Sequence, residues 1–200
     1  MIDKICLFLT NKIQKKMPEI DDERTQVINY GLQILIGEIP KIFIVLLIAW
    51  ILGIFKLTLI TFLLIMPYRS VSGGFHLHTH IGCIIATTLT YCGTAFVSQY
   101  IVLNDIVKYI FILLIWIFSM AMIKLYAPAD TEEVPILETK VRRKKQLASY
   151  IIATISLIAA IFIRDNVISN ILIIGTLFQN IFITKVMYKL TNNKYGYEVY

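Results

Sequence analysis

Charge is scarce in this sequence. Only 16% of its 200 residues are Asp, Glu, Lys or Arg, against about 25% in a typical soluble domain. The hydrophobic share is 58% and the mean hydropathy is +0.74. A water-soluble fold of this length needs a polar skin that the composition does not supply. Alternation of polar and apolar residues is also missing, for example across residues 42–50. That excludes a transmembrane barrel, whose strands alternate, and leaves helices as the spanning structure. Cysteine occurs only three times, as Cys6, Cys83 and Cys92. An odd number without close spacing argues against a disulfide framework or a zinc ribbon. The first residues lack a secretory-leader pattern, because their basic residues follow the apolar ones and no cleavage-like site appears. No internal repeat or low-complexity segment occurs. The expectation is one all-α domain over residues 1–200, a polytopic integral membrane protein.

What is present reads as a series of apolar segments. Residues 3–16 form a short amphipathic helix, with Ile5, Leu9 and Ile13 on one stripe and Lys12, Lys15 and Lys16 close by. Such a segment lies in the membrane interface, and residues 1–20 are assigned to it. Pro18 and the acids Asp21, Asp22 and Glu23 then open a second helix. Residues 27–54 are too long for one crossing, at about 42 Å against a hydrocarbon layer of about 30 Å. Gly37, Glu38 and Pro40 mark a break, after which a crossing begins near Lys41; Glu38 and Lys41 are spaced to pair. The apolar run 57–66 spans only about 15 Å, and Pro67 is expected to end or kink it. Further crossings are expected at 83–103, 106–125, 147–163 and 167–187, with turns at Asn104-Asp105 and at Arg164-Asp165-Asn166.

Charge sets the expected topology. The net charge is +6, the excess of Lys and Arg that orients membrane proteins. Residues 126–146 form the longest polar connection, and Lys140, Arg142, Arg143, Lys144 and Lys145 make it cytoplasmic. Counting crossings in both directions gives six, with both termini inside. The same basic excess could attract an acidic partner, and no nucleic-acid partner is expected.

One polar stretch interrupts the apolar runs. Residues 68–83 read YRSVSGGFHLHTHIGC and hold all three histidines, His76, His78 and His80. Counting crossings places the stretch on the cytoplasmic side. Cys83 follows Gly82 at an expected helix start, where the helix dipole favours a thiolate. Cys92 lies deeper, and Cys6 has no histidine near it in sequence. Cys83 is therefore the best candidate nucleophile. A cysteine nucleophile is served by a histidine that takes its proton and later protonates the leaving group; spacing does not choose among the three. A rival reading has His76, His78 and His80 holding zinc or copper, as in a metal or ion transporter. A third is a non-catalytic membrane partner protein.

The pattern Arg69, Gly73-Gly74, His76 and then Cys83 between two membrane segments resembles the accessory gene regulator B (AgrB) family of pro-peptide-processing membrane peptidases. The connection at Tyr126-Ala127-Pro128-Ala129, with Pro135-Ile136 and a basic run after it, resembles a second segment of that family. The resemblance implies His76 and Cys83 as the catalytic pair, with Arg69 and Gly74 at positions that matter for activity. His78 and His80 match no catalytic position. It implies a homodimer in the bacterial cell membrane. It also implies a quorum-sensing pro-peptide substrate with an amphipathic leader, a central signal segment containing Cys or Ser, and an acidic tail. Arg142, Arg143, Lys144 and Lys145 would then hold that tail. The implied chemistry is tail removal through a Cys83 thioester, followed by ring closure to a thiolactone or lactone, and it requires no metal or other cofactor.

Overall fold

The computed structural model describes residues 2–17, 21–77, 79–132 and 135–199. Helix α1 (Ile2–Lys16) is followed by α2 (Asp22–Gln33), which passes through a π-helical turn at Ile34–Glu38 into α3 (Ile39–Ile51). Then come α4 (Phe55–Ser72), α5 (His80–Tyr100), α6 (Asp105–Tyr126), α7 (Thr139–Phe162) and α8 (Asn166–Phe182). Two short helices, α9 (Lys185–Leu190) and α10 (Gly196–Val199), close the chain. No strand occurs among the described residues, so the all-α expectation holds. Helices α4 to α7 are long and apolar enough to cross a membrane, and α8 is a shorter apolar helix. The remaining expected crossing falls on α3, whose 13 residues reach only about 20 Å. Among the described residues, length and composition thus account for four of the six expected crossings. Large side chains such as Leu89, Leu113 and Phe162 point outward, as they do where the surroundings are lipid rather than water.

Helix α8 is the centre of the bundle and packs against α4, α5, α6 and α7. Its last turns carry Gln179 and Asn180, both buried. Buried amides are costly unless every donor finds an acceptor, and here they do. Asn180 Nδ2 donates to Ser119 Oγ on α6 at 2.8 Å and to Thr176 O at 2.7 Å, while its Oδ1 accepts from Tyr68 OH on α4 at 2.8 Å. Gln179 Nε2 donates to Ser72 Oγ and Gly73 O, both at 2.7 Å. These bonds tie the end of α4 to the bundle axis.

The expected turns occur, with Asn104 capping α6 through Val107 N and Asp165 capping α8 through Val167 N and Ile168 N. Two expectations are corrected. Pro67 does not end its helix: α4 continues to Ser72 with Pro67 inside it. Neighbouring groups stabilise the extra turns, since Tyr68 and Ser72 are anchored to α8 as above, and Ser70 Oγ donates to Pro67 O at 2.8 Å. The basic run is not in a loop either. Residues 140–146 belong to the first turns of α7, and the loop proper is 127–138, whose Ala127, Ala129 and Asp130 are buried. Residues 188–199, polar and rich in tyrosine, fold onto the bundle, with Tyr188 and Tyr195 only 1% exposed. On α1, Cys6 is buried together with Thr10, whose Oγ1 donates to Asn29 Oδ1 on α2. This face of α1 meets α2, and Ile5, on the stripe expected in the membrane interface, remains exposed.

Candidate active site

The end of α4 and the start of α5 bracket the polar stretch. Helix α4 stops at Gly73, whose N–H donates to Arg69 O and whose φ is +76°. A side chain there would collide with the backbone oxygen of Ala129, so the close approach requires glycine. That approach is a single parallel bridge between residues 73 and 129. Gly74 N donates to Ala129 O at 2.9 Å, and Ala129 N donates to Ser72 O at 2.8 Å. The loop after α6 is thereby fastened to the stretch before His76. Tyr188 OH holds the other side, donating to Ala129 O at 2.8 Å and Asp130 O at 3.1 Å. Burial raises the pKa of this phenol and keeps its proton available for those bonds.

Arg69 and Gly74 form one local device. Arg69 Nη2 donates to Phe75 O at 2.9 Å. Its guanidinium also lies over the rings of Phe75 and Phe182, at 5.9 Å and 5.8 Å from their centroids. Gly74 has φ +135°, and a Cβ on it would sit 2.6 Å from Arg69 Nη1. Glycine at 74 leaves the space through which Arg69 reaches Phe75. His76 follows this anchored turn and is exposed.

Thr79 caps α5, its side chain accepting from Gly82 N at 3.1 Å. Cys83 N donates to Thr79 O at 2.9 Å. Cys83 is therefore in the first turn of α5, half-buried and unpaired in any disulfide, where the peptide dipoles present their positive end. Arg69, Gly74, His76 and Cys83 line one cavity of about 400 Å³. A smaller recess beside it shares Arg69 and Cys83 and is closed by Phe75, Gln179 and Phe182. His80, the first residue of α5, is exposed and outside both linings. His78 lies outside the described residues. Among the described residues, no three His, Cys, Asp or Glu side chains gather as a metal ion would need.

The four basic residues of the run separate into different roles. Arg142 forms an ion pair with Asp130 at 2.6 Å and donates to Pro128 O and Ile136 O, both at 3.3 Å. Its guanidinium also lies 5.1 Å from the Tyr197 ring centroid. Lys145, one turn on, lines the cavity. Arg143 and Lys144 are exposed. Lys41, on α3, is buried and also lines the cavity. The sequence pairing of Lys41 with Glu38 involves a side chain outside the described ones. Sequence reasoning read Lys41 only as a partner for Glu38, and missed Gln179 and Asn193, whose Nδ2 donates to His76 O at 2.7 Å. An intramembrane lysine and amide were visible signals, since ionisable and polar groups in apolar helices face the interior.

The structure thus defines a helical protein with four helices long and apolar enough to cross a membrane, in which His76 and half-buried Cys83 line one cavity. The chain belongs to the Accessory gene regulator B family, whose model matches residues 6–183. An accessory gene regulator protein B of Staphylococcus aureus is 28% identical over 187 residues, covering 94% of each chain. A Listeria innocua protein named AgrB-like is 29% identical, with 94% of this chain and 91% of its own covered. A Clostridium acetobutylicum protein of the same name is 23% identical, with 98% and 91% covered. No solved structure matches. Membership supports a role in accessory gene regulator quorum sensing.

Proposed function

We propose that the protein is a membrane cysteine endopeptidase that trims a quorum-sensing pro-peptide. The observation that carries the reading is the shared cavity of His76 and Cys83, with Arg69 and Gly74 fixing the turn before His76. In this reading the Cys83 thiolate attacks the carbonyl at the end of the signal segment. The tetrahedral intermediate collapses as His76 gives a proton to the departing amine, and the acidic tail leaves. The acyl group now sits on Cys83 as a thioester. A Cys or Ser of the signal segment attacks it, its proton passes to the Cys83 thiolate, and a thiolactone or lactone forms. Exchange between thioesters is nearly balanced in energy, so hydrolysis is the competing loss. A cavity walled by α4, α5 and the 127–131 loop limits water and holds the nucleophile close.

The acidic tail fits the cation side of the cavity, where Lys145 and Lys41 stand. Arg142 contributes less to it, being already paired. We place the site and both termini in the cytoplasm of a bacterial cell, in a homodimer, on the charge distribution and the family resemblance. The test is pro-peptide cleavage in membranes. Cys83→Ala and Cys83→Ser abolish it, while Cys6→Ala and Cys92→Ala leave it largely intact. Cleavage by Cys83→Ala would overturn the proposal.

A further inference from the structure

The last residues of the chain lie beyond the family match, which stops at residue 183, yet they reach the candidate site. Helix α9 ends in a reversing motif. Asn192 N donates to Lys189 O at 3.2 Å, Asn193 N donates to Tyr188 O at 2.8 Å, and Asn192 takes φ +57°. Asparagine tolerates that left-handed conformation. The reversal turns the chain back, and Asn193 Nδ2 donates to His76 O at 2.7 Å. The amide is itself oriented by Thr191, whose Oγ1 and O accept from the same nitrogen at 2.9 Å and 3.1 Å. Beyond it, Tyr195 stacks on Tyr188 with ring centroids 4.0 Å apart and donates to Ile183 O at 2.8 Å. Gly196 packs against Asp130, and Tyr197 lies under Arg142.

The segment that carries His76 is thus held carbonyl by carbonyl from separate elements. Gln179 of α8 holds Gly73 O, Arg69 of α4 holds Phe75 O, and Asn193 holds His76 O. Only the last of these bonds is made to the histidine residue itself. We infer that Asn193 is a positioning residue for His76, and that the C-terminal segment 191–197 completes the site from outside the family's matched region. The inference rests on the peptidase reading.

The Asn193 bond acts on the backbone, so it persists when the imidazole is removed, but its position then no longer matters to proton transfer. This separates positioning from mere folding. Asn193→Ala and the near-isosteric Asn193→Asp both remove the donor. Each is expected to lower kcat for pro-peptide cleavage about 10- to 100-fold, the scale of a misplaced catalytic group, with KM within about twofold. In a His76→Ala background the same changes are expected to cost less than about twofold, because coupled groups are non-additive. Equal losses in both backgrounds, or none in either, overturn the inference. If the unaltered protein shows no Cys83-dependent cleavage, the peptidase reading itself fails. Hydrogen exchange at residues 74–77 then decides. Faster exchange in both Asn193 variants upholds the hold on this segment, and unchanged exchange overturns it.

Discussion

Gly74→Ala isolates the device that sets the turn before His76. At φ +135° an alanine is strained by about 1–3 kcal/mol. Its Cβ would also sit 2.6 Å from Arg69 Nη1, so the guanidinium must swing away. Arg69 then loses its 2.9 Å bond to Phe75 O, a charged-donor hydrogen bond worth about 1.5–3 kcal/mol. The sum is about 2.5–6 kcal/mol, a large part of the roughly 5–15 kcal/mol that holds a typical protein together. Thermal unfolding in detergent, followed by labelling of the buried Cys6 and Cys92 thiols, should show a midpoint at least about 5 °C lower. Gly93→Ala is the control: no atom lies within 4 Å of a Cβ there, and the change should stay within about 1 kcal/mol. In an Arg69→Ala background Gly74→Ala should retain only its backbone cost. A midpoint equal to wild type, or the same loss with and without Arg69, refutes the reasoning.

Three further outcomes follow from the geometry. Arg142→Gln leaves Asp130 buried without its cation and should cost about 3 kcal/mol, while Arg143→Gln and Lys144→Gln should stay within about 0.5 kcal/mol; chemical or thermal unfolding of the three variants checks this. Burial raises the pKa values of Tyr188 and Tyr195 above the ordinary phenol value. The unfolded chain therefore ionises first, and stability that is full below pH about 10 should fall as pH rises above it; Tyr188→Phe should flatten that fall in an alkaline unfolding series. Single-cysteine probes at Asn104 and Asn166 in a cysteine-free background should label from outside intact cells, and probes at Thr139 and Asn193 should not. Outside labelling at Thr139 would invert the sidedness.

The helical class was legible because long apolar runs with few charges leave few other structures, and capped turns at Asn104 and Asp165 carry local signals. The position of Cys83 at a helix start was legible from Gly82 just before it, whereas the Thr79 cap was not read from the sequence. Other features depend on contacts far apart in the chain. Pro67 reads as a helix end by its own chemistry, but Tyr68 and Ser72 are tied to Asn180 and Gln179, over a hundred residues away. Basic residues read as solvated charges until Asp130 is seen beside Arg142. The tyrosine-rich tail looks polar by composition, yet its rings stack on one another and cover the 127–131 loop. No local pattern announces that Asn193 meets His76.

The central claim is a covalent acyl group on Cys83. The most direct measurement is intact-protein mass spectrometry after mixing the purified protein with a pro-peptide whose ring-forming Cys or Ser is replaced by Ala. Ring closure is then blocked, and the thioester should accumulate. The predicted result is a mass increase equal to the leader plus signal segment, without the tail, mapped to Cys83 and released by hydroxylamine. The adduct should be absent from Cys83→Ala and form about 100-fold more slowly in His76→Ala. Tail release with no adduct on Cys83, or an adduct that persists in Cys83→Ala, would contradict the account.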